Sequence, residues 1–219
     1  MYYFGKMEQS IDAKAQQLHL EARELGQAGN YEASIAKLEQ AIAIQPDWAY
    51  PYYDLAFTYL LKGDFDNALQ FYQKTDSLQP KGFYTTKTAL YTLQGEAAGK
   101  FPKGLYGYYL QIEWAEDADK KFEIVKTILS NVPDFAPAWK ELALLTDNVE
   151  TRAKYIDEGL SKDPDADTQG ILLLNKAVLM NEAGRSEEAL QMLAGLIDDA
   201  NTTTANAELA KMVVTQIKG

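Results

Sequence analysis

The chain of 219 residues contains one histidine, His19, and no cysteine. Acid–base chemistry through imidazole would therefore rest on His19 alone, and thiolate nucleophiles, disulfides, thiolate metal sites and redox sensing are excluded. His19 lies between Leu18 and Leu20 in a helical pattern, which predicts a structural imidazole. Neither a nucleophile elbow nor a histidine-rich metal motif occurs, and Gly99-Lys-Phe-Pro-Lys-Gly104 lacks the spacing of a phosphate-binding loop. Asp163-Pro-Asp165-Ala-Asp167 copies the first three ligands of a calcium loop, but Thr168 stands where that loop needs Gly and Leu174 where it needs a bidentate Glu. The string reads instead as a proline turn flanked by Asp163 and Asp165, with Asp167 capping or electrostatically favouring the next helix start. The expectation is a protein that is not an enzyme and holds no metal or cofactor.

The elements that carry these residues follow from periodicity. Apolar residues recur at helical spacing almost throughout, without hairpin-bounded alternation, so the class is all-α. Turn signals fall at Gly26 to Asn30, Gln45-Pro46-Asp47, Lys62-Gly63-Asp64 and Gln79-Pro80-Lys81-Gly82. Pro46 and Pro80 are 34 residues apart, and Gly29-Asn30-Tyr31 recurs at the same interval as Gly63-Asp64-Phe65. A 34-residue period of this kind marks a repeated helix–turn–helix unit.

On these residues the chain resembles the tetratricopeptide repeat family. Tyr52, Leu55, Ala56 and Tyr59 fill the first-helix positions of the family signature, and Ala68, Tyr72 and Pro80 those of the second. The preceding unit is looser, with Leu18, Ala22, Leu25, Leu38, Ala41 and Pro46 in place, Glu21 in the Leu position and Ser34 in a small-residue position. Trp139, Leu142, Ala143, Ile156 and Pro164 form a unit about three residues short, and Leu173, Ala177, Met180, Gly184, Ala189 and Leu193 form a last one. The resemblance implies a right-handed superhelix of antiparallel helix pairs, an α-α solenoid, over residues 12–200. The repeats would be 15–48, 49–82, a degenerate 83–133, 136–166 and 167–200. Residues 1–11 read as an aromatic arm, and 201–219 as a capping helix with a polar outer face. Within 83–133 three helical patterns compete, about 84–98, 102–115 and 117–131. Pairing the first two aligns Gly99 with Gly29 and Gly63 and is preferred; pairing the last two aligns Leu105, Ile112, Val125, Ile128 and Pro133 with the signature.

Beyond the packing residues, Tyr50, Tyr53 and Phe57 stand at i, i+3 and i+7 on the helix from Ala49 to Leu61 and make a second apolar face. In the family this face lines the concave groove, and His19 and Arg23 occupy the corresponding positions one unit earlier. Family members that grip C-terminal carboxylates carry Lys and Asn there. Their absence points to an apolar or aromatic peptide or helix of a partner protein, with Arg23 anchoring one polar group.

Charge narrows the partner. Acidic residues outnumber basic ones 32 to 21, for a net charge of −11, which argues against nucleic acid. The imbalance is concentrated after residue 110, whereas 13 of the 14 tyrosines precede it, so the first half offers an aromatic and nearly neutral surface. No apolar run approaches the roughly 20 residues of a membrane-spanning helix, and Met1-Tyr-Tyr-Phe-Gly-Lys-Met lacks the order of a secretory signal, so no membrane insertion and a cytoplasmic location are expected. The function expected is a protein-binding scaffold. The alternative is a self-assembling structural protein in which Tyr2, Tyr3 and Phe4 of one copy dock on another to give a homo-oligomer.

Overall fold

A computed structural model describes residues 10–219. These form twelve α-helices and no strand: α1 (Ala13–Gln27), α2 (Tyr31–Ile44), α3 (Ala49–Leu61), α4 (Phe65–Leu78), α5 (Thr86–Ala97), α6 (Leu105–Trp114), α7 (Ala118–Asn131), α8 (Ala136–Leu144), α9 (Val149–Ser161), α10 (Ala166–Glu182), α11 (Ser186–Asp198) and α12 (Thr204–Lys218). Apart from Ser10 and Ile11, the expected aromatic arm lies outside the described residues. Contacts gather the helices into two compact units that divide after Lys100.

In the first unit α1 packs on α2 and α3 on α4, and α5 packs on α4. Asp12 starts α1 by accepting from the backbone N–H groups of Lys14 and Ala15 at 2.8 and 3.1 Å, which satisfies two donors that a helix start leaves open. The helices α1 and α3 end by one device. Gly29 (φ 76°) and Gly63 (φ 77°) take the left-handed conformation, and the next N–H closes back on a carbonyl five residues earlier, Asn30 to Leu25 at 2.8 Å and Asp64 to Tyr59 at 2.9 Å. The chain reverses within three residues, so each pair is antiparallel. Ala22, Leu38 and Leu55 form the central core contact. Ala15, Ala22, Ala41, Ala56 and Ala68 are fully buried, the small side chains that let helices approach closely. Ser34, at a small-residue position, is accommodated because its buried hydroxyl donates to the Ala22 carbonyl at 2.8 Å.

The second unit contains the pairs α6–α7, α8–α9 and α10–α11, with α12 packed on both α10 and α11. Of the two frames for 83–133, α6 thus pairs with α7, not in the preferred arrangement. Gly99 does make the same turn as Gly29 and Gly63, with Lys100 N–H on the Gly95 carbonyl at 2.8 Å. However, Gly104, expected inside a helix, lies at φ 87° as the N-cap of α6, and delays that helix to Leu105. Asp165, not Asp167, caps α10, accepting from Asp167 N–H and Thr168 N–H at 3.0 and 3.2 Å, while Asp167 lies in the first turn of the helix. Asn206 of α12 is 1% exposed and donates to the Ala166 and Asp167 carbonyls at 3.3 and 3.1 Å. It fits because Gly170 has no side chain: a Cβ there would sit 2.1 Å from Asn206 Nδ2. The outer face of α12 departs from the polar surface expected, since Leu209 and Met212 are exposed.

Candidate functional site

The face singled out in the sequence belongs to the first unit. α1 supplies His19 and Arg23, and α3 supplies Tyr50, Tyr53 and Phe57. His19 and Tyr53 are 34 residues apart, as are Arg23 and Phe57, so the repeat sets corresponding positions of two successive first helices side by side.

Asp54 ties the two helices together. Its Oδ2 lies 2.7 Å from His19 Nε2 and 3.9 Å from Arg23 Nε. His19 is buried, with its ring edge-on to Trp48 and Tyr50 at centroid distances of 4.8 Å each. The polar end of the imidazole is thereby matched by a carboxylate and its apolar edges by aromatic rings. Arg23 stands at the border, its side chain 47% exposed and its guanidinium carbon 5.9 Å from the centre of the Tyr50 ring, within reach of a cation–π attraction.

Tyr50 and Tyr53 are half-buried because the segment before α5 folds over them. Phe83 is buried and meets both rings edge-on, 5.5 Å from Tyr50 and 5.6 Å from Tyr53. The Tyr84 ring lies 5.4 Å from Tyr50 and 5.2 Å from Tyr53. Two hydroxyl contacts complete the cover: Tyr84 donates to the Tyr50 hydroxyl at 2.8 Å, and the Tyr53 hydroxyl lies 2.9 Å from Thr85 Oγ1. Burial, then the hydrogen bond to Tyr50, pushes the Tyr84 hydroxyl well above its ordinary pKa. Tyr84 also carries a positive φ of 48°, which costs an L-residue about 1 kcal/mol or more. Phe57, half-buried, stands one turn further along α3 than Tyr53.

The structure therefore joins His19, Arg23 and Tyr50 through Asp54 and draws Tyr53 into the same aromatic cluster. Asp54, Phe83, Tyr84 and Thr85 were not singled out from the sequence. Tyr84 was within reach, since it follows Tyr50 by 34 residues. Asp54 sends no signal of its own, because an acidic residue on a helix reads as solvated until its neighbour across the pair is known. Among the described residues no cluster of three or more His, Asp or Glu side chains is placed to hold a metal ion, and no helix is long and apolar enough to cross a membrane. The cluster offers ring faces, one guanidinium and a paired carboxylate, groups suited to contact with a peptide.

Comparison with known proteins gives this geometry its family. A TPR repeat model matches residues 22–63, and a tetratricopeptide repeat model matches residues 49–81, the span of the helix pairs just described. The chain is a tetratricopeptide-repeat protein. The fold extends beyond the matched repeats. The flexible tandem repeat domain of a bacterial cellulose synthase is similar over 90% of this chain and 98% of its own, at 17% identity and a TM-score of 0.53. YrrB, described as a TPR protein with an unusual peptide-binding site, aligns over 92% of both chains at 15% identity and a TM-score of 0.38. The TPR2AB domain of yeast Sti1, solved with pHSP90, aligns over 94% of this chain and 86% of its own at 15% identity and 0.45. No curated protein matches the tetratricopeptide chain. Tetratricopeptide repeats are generally non-catalytic scaffolds for protein–protein contacts.

Proposed function

We propose that this tetratricopeptide protein is a non-catalytic scaffold that holds a segment of a partner protein against the inner face of its first unit. Tyr50, Tyr53 and Phe57 supply the apolar contact, His19 fixes the position of Asp54, and Arg23 meets one polar group of the ligand. The observation that carries the reading is the aromatic face itself: Tyr50, Tyr53 and Phe57 are each only half-buried, and an exposed guanidinium lies over Tyr50 at its border. Tyrosine and arginine in such a setting are the side chains that dominate peptide and protein interfaces.

The test is selection of a displayed random peptide library on the full chain and on a chain lacking residues 1–9. Enrichment of aromatic-bearing peptides is expected, and the selected peptides should lose at least tenfold in affinity for a Tyr53→Ala, Phe57→Ala variant whose circular dichroism is unchanged. Selected peptides that bind that variant as tightly as the parent would place the binding surface elsewhere.

A further inference from the structure

Resting on that reading of the aromatic face, we propose that its resident ligand is residues 1–9 of the same molecule, so that a foreign segment binds only by displacing them. Three observations converge. The first is where the segment enters. Asp12 N–H donates to Gln45 Oε1 at 3.1 Å, and Gln45 Nε2 donates to Asp47 Oδ1 at 3.0 Å. The chain thus joins α1 beside the α2–α3 turn, at the end of α3 from which Trp48 and Tyr50 start the aromatic cluster.

The second is reach. Nine extended residues span up to about 30 Å, while the seven steps from Tyr50 to Phe57 advance only about 10 Å along a helix. The segment can traverse the face from its own root. The third is pattern. Tyr2, Tyr3 and Phe4 precede a polar stretch containing Lys6, Glu8 and Gln9. In an extended chain Tyr2 and Phe4 point the same way, about 6.6 Å apart. Tyr53 and Phe57, four residues apart on α3, are separated by about 6 Å along the helix axis. The two pairs of rings are therefore spaced to interleave. A tether this short gives an effective concentration in the millimolar range, far above that of a second copy in dilute solution, which favours occupancy within one molecule over exchange between two.

The experiment uses a fluorescent peptide of residues 1–10, read by anisotropy against three proteins: the full chain, a chain lacking residues 1–9, and a full chain with Tyr2→Ala and Phe4→Ala. Saturable binding is expected for the shortened chain, at least tenfold weaker binding for the full chain, and recovery toward the shortened chain's affinity in the double variant. Adding Tyr53→Ala and Phe57→Ala to the shortened chain should abolish binding. Light scattering should give a single-copy mass for the full chain. Equal affinity for the full and shortened chains overturns the proposal, as does absence of binding to a shortened chain that is folded by circular dichroism. A doubled mass that falls to single on removal of residues 1–9 overturns it too, and reassigns the segment to a second copy. If the random library still yields aromatic peptides dependent on Tyr53 and Phe57 while the 1–10 peptide does not bind, the binding face stands and only its resident ligand is lost.

Discussion

The hydroxyl of Tyr84 donates to the hydroxyl of Tyr50 at 2.8 Å, and the two residues are 34 positions apart. One repeat length therefore separates them, yet they do not occupy equivalent backbone. Tyr50 is the second residue of α3, whereas Tyr84 precedes α5 with a φ of 48°. α5 begins only at Thr86, and the Tyr84 ring lies over Tyr50 of α3 instead of opening a helix.

Tyr84 should accordingly tolerate loss of its hydroxyl better than loss of its ring. Tyr84→Phe is expected to cost about 1 kcal/mol, the value of one hydrogen bond, and Tyr84→Ala about 2–4 kcal/mol from lost aromatic burial. Chemical denaturation followed by circular dichroism ranks them. Equal losses would mean that the ring contacts contribute nothing.

His19 is predicted to matter through Asp54. His19→Phe keeps an aromatic ring against Trp48 and Tyr50 but removes the partner 2.7 Å from Asp54 Oδ2, leaving a largely buried carboxylate with Arg23 at 3.9 Å. A loss of about 2–3 kcal/mol follows from stranding such a group. The double variant His19→Phe, Asp54→Leu should regain at least half of it, because both polar partners are then gone. Failure of the second substitution to recover stability would show that the imidazole acts through packing alone.

Gly170 and Asn206 should behave as one unit. A methyl at Gly170 would meet Asn206 Nδ2 at 2.1 Å and Asn206 Cγ at 2.5 Å, contacts that force side chain or backbone to move, so Gly170→Ala is expected to cost about 2–3 kcal/mol. With Asn206→Ala in the background the cost should fall by at least 1 kcal/mol, a coupling of the size seen between touching residues. Thermal unfolding of the four variants measures it, and additive losses would refute the contact.

Alkaline pH should weaken the fold from a definite point. Burial, together with the Glu141 carboxylate 2.7 Å from its hydroxyl, pushes Tyr109 well above the ordinary tyrosine value of 10.0, and burial with the Tyr50 hydrogen bond does the same for Tyr84. Burial opposes charge on Lys140, but the neighbouring acid groups outweigh it and raise its pKa too. Each group thus holds its proton more tightly folded than unfolded. Their contribution is complete below about pH 10 and is lost as the pH rises through the folded values. The melting temperature should be flat in this respect below pH 9 and fall above pH 10, with tyrosinate absorbance lagging behind that of the unfolded chain. Tyr109→Phe should make the alkaline fall shallower. An unchanged slope would remove Tyr109 from the account.

The repeat was legible because its signals are local and doubled: Gly29 and Gly63, Pro46 and Pro80 each mark a turn that one helix pair needs, whatever surrounds it. The same logic misled between 83 and 133. Gly99 makes the expected turn, but Gly104 adopts φ 87° and ends the connection later, so α6 pairs with α7. A glycine that terminates a helix and one that precedes a helix look alike until their backbone angles are known. At the binding face, the types and spacing of Tyr50, Tyr53 and Phe57 could be read directly. The 34-residue interval brings Tyr84 toward Tyr50, but the folding of Phe83 and Tyr84 over the face could not be read, because it depends on α5 starting at Thr86, a shift of one turn that the β-branched run Thr85, Thr86 and Thr88 permits without announcing it.

The Asn206 side chain filling the space at Gly170 has an evolutionary and engineering consequence. Repeat proteins diversify by duplicating and shuffling interchangeable modules, which requires each junction to accept any neighbour. This junction does not: a module carrying an ordinary side chain at the position of Gly170 would collide with α12, and a terminal helix without an amide at the position of Asn206 would leave a void and remove the side-chain bonds to the Ala166 and Asp167 carbonyls. The last three helices must therefore be inherited, or transplanted, as a block.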